Sequence, residues 1–242
     1  GGHWKTIRVV ETSQRCRHRR IQVGPHRWRD ERICPKHQLR LKSRKRIGYG
    51  RSTTIHGLLT TAEGVPIASA PVVILTAPDE RGGQFTGLAT ATTAPDGAWK
   101  AKVPAGPSRR IAAVYYGAPT ILPSVSWMRL TVPASIHIAR LWPRQVRWGG
   151  TVHIDGYLAG GYLPPPPAGE LVRLRIGIRS QYTTYGVKID VTGNGRFRTN
   201  YTFGAGPASI RRDYWFQLQA LPQDDYPYAP ADSGRAGVSV GG

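Results

Sequence analysis

Cys16 and Cys34 are the only thiols of the chain, and each has a histidine close by, in Cys16-Arg17-His18 and Cys34-Pro35-Lys36-His37. Two thiolates and two imidazoles form a ligand set that zinc accepts. The Cys-x-His half is an unusual ligand spacing, however, and Arg17, Arg19 and Arg20 beside it would repel a dication. A disulfide across the 18-residue separation would instead stabilise the fold by roughly 3 kcal/mol through the unfolded chain that it restricts. Such a staple suits a segment whose apolar residues are too sparse for a core. The reading favours a Cys16–Cys34 bridge, with zinc and free thiols as alternatives, and a bridge would place the protein outside a reducing cytosol.

The other reactive side chains do not assemble into a catalytic set. His56 and His153 read as equivalent strand positions of two repeats, with Asp155 near the second, and equivalence of that kind suits a structural role. Catalysis would also want a nucleophile at a defined spacing, and none stands out. Asp224-Asp225 lacks the Asp-x-Asp-Gly loop of a calcium site. Asn200-Tyr201-Thr202 is a glycosylation sequon inside an expected strand, and four prolines at 164–167 read as a stiff loop. The expectation is therefore a protein that is not an enzyme, with no catalytic residue, no metal site and no cofactor.

Charge is the remaining chemical signal, and it is placed unevenly. Residues 1–51 hold 16 Lys and Arg against 3 Asp and Glu, whereas residues 52–242 hold 18 against 11. Arg15, Arg17, Arg19, Arg20, Arg44, Lys45 and Arg46 are the candidate contacts to a polyanion or to a neighbouring subunit, with Trp4, Trp28 and Tyr49 scattered among them. Such residues neutralise phosphates and release counterions. No recognised nucleic-acid motif frames them, which argues against nucleic acid and favours an anionic cell-wall polymer, an acidic partner or a solvated arginine face.

The elements that must carry these residues are legible from an internal repeat. Residues 47–59 (Ile-Gly-Tyr-Gly-Arg-Ser-Thr-Thr-Ile-His-Gly-Leu-Leu) align with residues 146–158 (Val-Arg-Trp-Gly-Gly-Thr-Val-His-Ile-Asp-Gly-Tyr-Leu) at an offset of 99. Asp96-Gly97-Ala98-Trp99-Lys100 answers Asn194-Gly195-Arg196-Phe197-Arg198 at an offset of 98, each a turn pair before an aromatic strand. A unit of roughly 100 residues with short alternating strands is the size of one immunoglobulin-like sandwich. Gly50, Gly57 and Trp99 should superpose on Gly149, Gly156 and Phe197, the two aromatics anchoring the cores. Trp127, Trp142 and Trp148 either pack the junction or fill their own units.

Alternation and turn residues predict strands at 6–12 and 39–42, then at 51–59, 71–75, 86–93, 99–103, 111–115 and 130–132. In the second repeat they predict strands at 151–158, 171–178, 185–191, 197–203, 214–220 and 238–240. No window of ten or more residues keeps a helical period, and no apolar run approaches the roughly 18 residues of a membrane span. The chain opens on Gly1-Gly2 without a methionine, as expected of a processed product or fragment.

Residues 58–72, with their Glu63-Gly64 turn and small-residue stretch Ala68-Ser69-Ala70, and the later Thr93-Ala94-Pro95-Asp96-Gly97-Ala98-Trp99 hairpin resemble the carboxypeptidase-regulatory-like domain, a transthyretin-type sandwich. Gly149-Gly150-Thr151, Gly195-Arg196-Phe197 and Tyr226-Pro227-Tyr228-Ala229-Pro230 resemble the Ig-like repeats of large secreted proteins of actinobacterial type. The resemblance implies a β-sandwich fold on a secreted surface protein.

The expected fold is all-β: two tandem Ig-like β-sandwich domains, at 44–133 and 134–242, after a basic, extended N-terminal segment at 1–43. The expected function is structural, as a stalk or fibre subunit at the cell surface that polymerises with itself. Ile7, Val9 and Val10 would form a strand docked on the neighbouring subunit's sheet edge. The alternative is a module that binds an anionic polymer through the basic segment.

Overall fold

The computed structural model describes residues 5–8, 17–24, 27–33, 43–119, 121–163, 172–185, 189, 191 and 193–242, the first three stretches in their backbone only. Every regular element among them is a strand. Three strands belong to the basic segment: β1 (Lys5–Arg8), β2 (Arg17–Gly24) and β3 (Arg27–Ile33). The last two pair as an antiparallel hairpin that the sequence reading did not foresee, with Arg19 opposite Glu31 and Arg20 opposite Asp30 in the register. Positions of opposite charge thus face each other in pairs, which a reading based on apolar alternation overlooks.

The first sandwich contains β4 (Ser43–Arg46), β5 (Thr53–Thr60), β6 (Pro71–Pro78), β7 (Thr86–Thr92), β8 (Ala98–Val103), β9 (Arg109–Tyr115) and β10 (Ser124–Thr131). One sheet runs β1-β5-β8 and the other β4-β10-β9-β6-β7. Alternate residues point inward, so Ile55 and Leu59 of β5, Val72 and Ile74 of β6, and Ile111 and Ala113 of β9 meet Trp99 in one core.

The second sandwich repeats the plan. Its strands are β11 (Ser135–Trp142), β12 (Gln145–Val146), β13 (Thr151–Ala159), β14 (Val172–Ile178), β15 (Gln181–Tyr185), β16 (Arg196–Thr202), β17 (Arg212–Ala220), β18 (Ala231–Asp232) and β19 (Ala236–Val240). One sheet is β11-β13-β16, and the other is β12-β19-β17-β14-β15 with β18 paired to β17. Parallel pairing of a short leading strand with the last strand, β4 with β10 and β12 with β19, occurs in both units. With antiparallel pairing elsewhere between the sheets' central strands, this gives both units the two-sheet organisation of an Ig-like sandwich.

Several strand expectations need correction. The strand read at 39–42 lies outside the described residues, and the one read at 130–132 begins at Ser124. In β10 the usual alternation is inverted: Ser124 and Ser126 point inward, while Trp127 is 47% exposed. Residues 135–142, where no strand is read in the sequence, form β11, whose register slips between Ile138 and Arg140 and so breaks a simple period of two. Of the strand read at 185–191, Tyr185 ends the observed β15, while 186–188 and 190 lie outside the described residues.

The histidine equivalence also fails. His56 pairs with Lys100 next to the Gly57–Trp99 pair, whereas Asp155 pairs with Arg198 next to the Gly156–Phe197 pair. The counterpart of His56 is therefore Asp155. The glycines fix this register, because each sits under the aromatic ring of its partner strand.

Candidate functional site

The residues joining the two sandwiches are held by backbone hydrogen bonds, and the place where the chain passes between the units is no free linker. Segment 221–230 folds back onto the first sandwich. Ala229 N–H donates to the Val132 carbonyl at 2.8 Å, and Ala134 N–H donates to the Ala229 carbonyl at 2.8 Å. Ser108 N–H donates to Pro227 O at 2.7 Å, and Arg81 N–H donates to Asp224 O at 2.7 Å. Ser108 also braces the passage itself, since its hydroxyl accepts from Val132 N at 2.8 Å and donates to Val132 O at 3.1 Å. Buried backbone groups need partners, and these bonds supply them for a segment that lies in neither sheet.

Apolar packing runs through the same place. Val132 and Ala134 are buried in the second core, and Ile47 touches both cores. The rings of Tyr226 and Tyr228 meet at a tilt with centroids 5.2 Å apart, Tyr49 reaches Tyr228 at 5.9 Å, and the Tyr228 hydroxyl donates to Gly160 O at 3.1 Å. Burial, reinforced by the neighbouring phenols, pushes the Tyr228 hydroxyl up to about 12 and Tyr226 higher still. Arg109 is only 7% exposed. Its Nε donates to Pro107 O at 3.0 Å, and burial lowers its pKa.

Beside this joint lies an open cleft of about 870 Å³, lined among others by Arg44, Asp79, Arg81, Arg129, Asp224 and Tyr228. Arg129 is ion-paired with Asp79 across the five-stranded sheet of the first unit. Arg81 pairs with Asp224 at 3.3 Å, but both side chains are 83% exposed. An ion pair so open to water contributes little. Guanidiniums, carboxylates and phenols placed in this way can brace two domains or hold an anion.

The residues singled out in the sequence disperse around this joint. Arg44 lines the cleft, Arg46 is exposed on β4, and the Lys45 ammonium donates to Thr54 O of β5 at 3.1 Å. Arg17, Arg19 and Arg20 lie on β2, away from β4 in the pairing pattern. Ile7 lies on β1 and pairs in parallel with Leu59 of β5 in its own chain. Arg15, Cys16, Cys34, Val9 and Val10 fall outside the described residues, as do 164–167. Among the described residues no group of three or more His, Cys, Asp or Glu could hold a metal ion, and no helix is long and apolar enough to cross a membrane.

The tryptophans turn out to serve their own units. Trp127 meets Phe85 edge-on at 5.4 Å, Trp142 lies 5.3 Å from His153, and Trp148 donates its indole N–H to Ile210 O at 2.9 Å. The junction is built from Tyr49, Tyr226 and Tyr228 instead. Sequence reasoning missed them, although the spacing Tyr226-Pro227-Tyr228 in an otherwise polar turn is a detectable signal of a buried loop.

No family model matches this chain, and no curated protein matches it. Among solved structures it is similar to an I-band fragment of titin, with 12% identity over 82% of this chain and 62% of that one, at a TM-score of 0.43. It is similar to an ectodomain fragment of ICAM-5, with 17% identity over 81% of this chain and 50% of that one, at a TM-score of 0.42. A tetra-tandem repeat in the extending region of a large adhesion protein gives 13% identity over 81% and 49% of the two chains, at a TM-score of 0.37. The chain thus spans about half to three fifths of the length of these structures.

Proposed function

We propose that this chain is a structural protein of the cell surface or extracellular space, a stalk or the repeating subunit of a fibre. In this reading residues 44–133 and 134–242 are the two units of a rod, and residues 1–43 dock on the next copy. The joint carries the reading. A hinge between independent domains would leave the passage from Val132 to Ala134 solvated, whereas here both ends are hydrogen-bonded to Ala229 and flanked by buried tyrosines. Such a passage transmits force between units without bending.

The edge of β5 supports the docking half of the reading. It accepts β1 through backbone bonds over Lys5–Gly57 to Arg8–Thr60, and the same edge of a neighbouring copy offers the same bonds. A head-to-tail contact of this kind does not close on itself and so grows a filament. A Cys16–Cys34 disulfide would stiffen the docking segment, and peptide mapping without reductant should recover the two as one linked pair. Negative-stain microscopy of the full chain tests the whole reading: filaments or uniform rods are expected, and compact monomers at every concentration refute it.

A second reading, a module for anionic polymer, is supported by the exposure of Arg44, Lys45 and Arg46 side by side on β4. Its signature would be binding that falls steeply as salt rises.

A further inference from the structure

The outer face of β11, β13 and β16 holds an ordered array of planar side chains. Val152, Ile154, Gly156 and Leu158 of β13 turn into the core, so His153, Asp155 and Tyr157 turn outward. Pairing places each in a row across three strands. His153 lies between Trp142 and Asn200, with its ring 5.3 Å from the indole and Nδ1 2.6 Å from the amide oxygen of Asn200. Asp155 lies between Arg140 and Arg198 and accepts from Arg198 Nε at 2.7 Å. Tyr157 lies between His137 and Arg196, stacked on the imidazole at 4.9 Å and still 39% exposed. The guanidinium of Arg140 sits 4.5 Å over the Trp142 ring. Strand and residue spacings give the array a footprint of about 10 by 14 Å.

The fold does not require this array, and the first sandwich provides the comparison. The corresponding rows there are Thr54 with Lys102, His56 with Lys100, and Leu58 with Ala98. The two units share their core glycine–aromatic pairs and differ on this face.

We infer that the β11-β13-β16 face binds an acidic glycan. Rings on a flat sheet stack on the apolar C–H faces of sugars, as Tyr157 and His137 are placed to do. Planar groups with paired donors and acceptors, such as guanidinium, amide and carboxylate, match vicinal hydroxyls and carboxylates in two-point contacts. Charge selects the class of glycan: Arg140, Arg196 and Arg198 outnumber Asp155, so a carboxylated sugar fits better than a neutral one. The site lies on different strands from the basic β4 and from the β5 edge, so it stands or falls apart from the fibre reading.

The test is calorimetric titration of the full chain with oligogalacturonate, with malto-oligosaccharide of equal length as the neutral control. Wild-type chain is expected to bind the first and not the second. Tyr157→Ala and Arg140→Gln should each weaken binding by about tenfold, and Tyr157→Phe, which keeps the ring and the fold, should stay within about twofold. Lys100→Gln on the corresponding face of the first sandwich should change nothing. The inference is overturned if wild type binds neither glycan, if the Arg44, Lys45 and Arg46 to Gln triple variant alone abolishes binding, or if a single-stranded oligonucleotide binds more tightly than oligogalacturonate.

Discussion

The indole of Trp99 on β8 lies directly against the α-carbon of Gly57 on β5, its register partner across the sheet. A Cβ placed on Gly57 would sit 2.2 Å from Trp99 Cζ2, and one on Gly156 would sit 2.5 Å from Phe197 Cε2. The same seat has thus been built twice. Alanine at either glycine overlaps a buried ring that has nowhere to retreat, so Gly57→Ala and Gly156→Ala should each destabilise by about 1–3 kcal/mol. Thermal unfolding checks this, and an unchanged midpoint in both variants would refute the packing.

That pair also marks how far the fold could be read in advance. A turn followed by an aromatic, repeated at a constant offset, is a local pattern with a tertiary cause, so Trp99 and Phe197 were legible as core anchors. Strand β11 was not, because its bulge at Ile138–Arg140 interrupts alternation. The first half of β10 was lost to its inverted pattern, serine inside and tryptophan outside. The joint escaped because Tyr226 and Tyr228 join the second core from a segment outside both sheets, where no strand periodicity records their burial. The planar array was half visible: His153 and Asp155 drew notice, but only the pairing register shows that they sit in adjacent rows.

Ser108 should control the stiffness of the joint. Its hydroxyl satisfies both the N–H and the C=O of Val132 in a buried setting. Ser108→Ala leaves that bracing unmade and should cost about 1–3 kcal/mol. Small-angle scattering should also report a broader distribution of interdomain angles. A variant that scatters like wild type would show that the other strap contacts alone hold the joint.

Tyr226 and Tyr228 should make the protein sensitive to alkali. Burial raises both phenols, so the folded chain holds their protons more tightly than the unfolded chain, where a tyrosine titrates near 10. Their contribution is complete below about pH 10 and is lost as pH rises toward the folded value of about 12 for Tyr228. Denaturant midpoints measured upward from pH 9 should fall across this window. The Tyr226→Phe and Tyr228→Phe double variant should flatten the fall, and an equal slope in both proteins would contradict the assignment.

Tyr226 alone should behave differently at neutral pH. Its ring is 2% exposed, and its hydroxyl is buried with no hydrogen-bond partner among the described residues. A buried hydroxyl without a partner costs free energy that a phenylalanine does not. Tyr226→Phe should therefore be neutral or stabilising by up to about 1 kcal/mol, whereas Tyr228→Phe forfeits its bond to Gly160 O and should destabilise. Urea titration separates the two outcomes, and a marked loss in Tyr226→Phe would mean that its hydroxyl is bonded in solution.

Deleting residues 1–43 should separate folding from assembly. Among the described residues the buried members of both cores begin at Ile55, and the inward side chains of β5 are covered by the opposite sheet. The deletion removes β1 and bares the edge of β5 from Gly57 to Thr60, where Thr60 is already capped by a bridge to Pro66. So short an edge should not recruit partners unaided, because strand addition draws its affinity from several consecutive backbone bonds supplied by an incoming segment. The truncated chain should melt cooperatively and sediment as a monomer, while the full chain gives masses that rise with concentration. If the truncated chain still polymerises, assembly does not run through the N-terminal segment, and if the full chain stays monomeric at high concentration, the β5 edge is filled only from within.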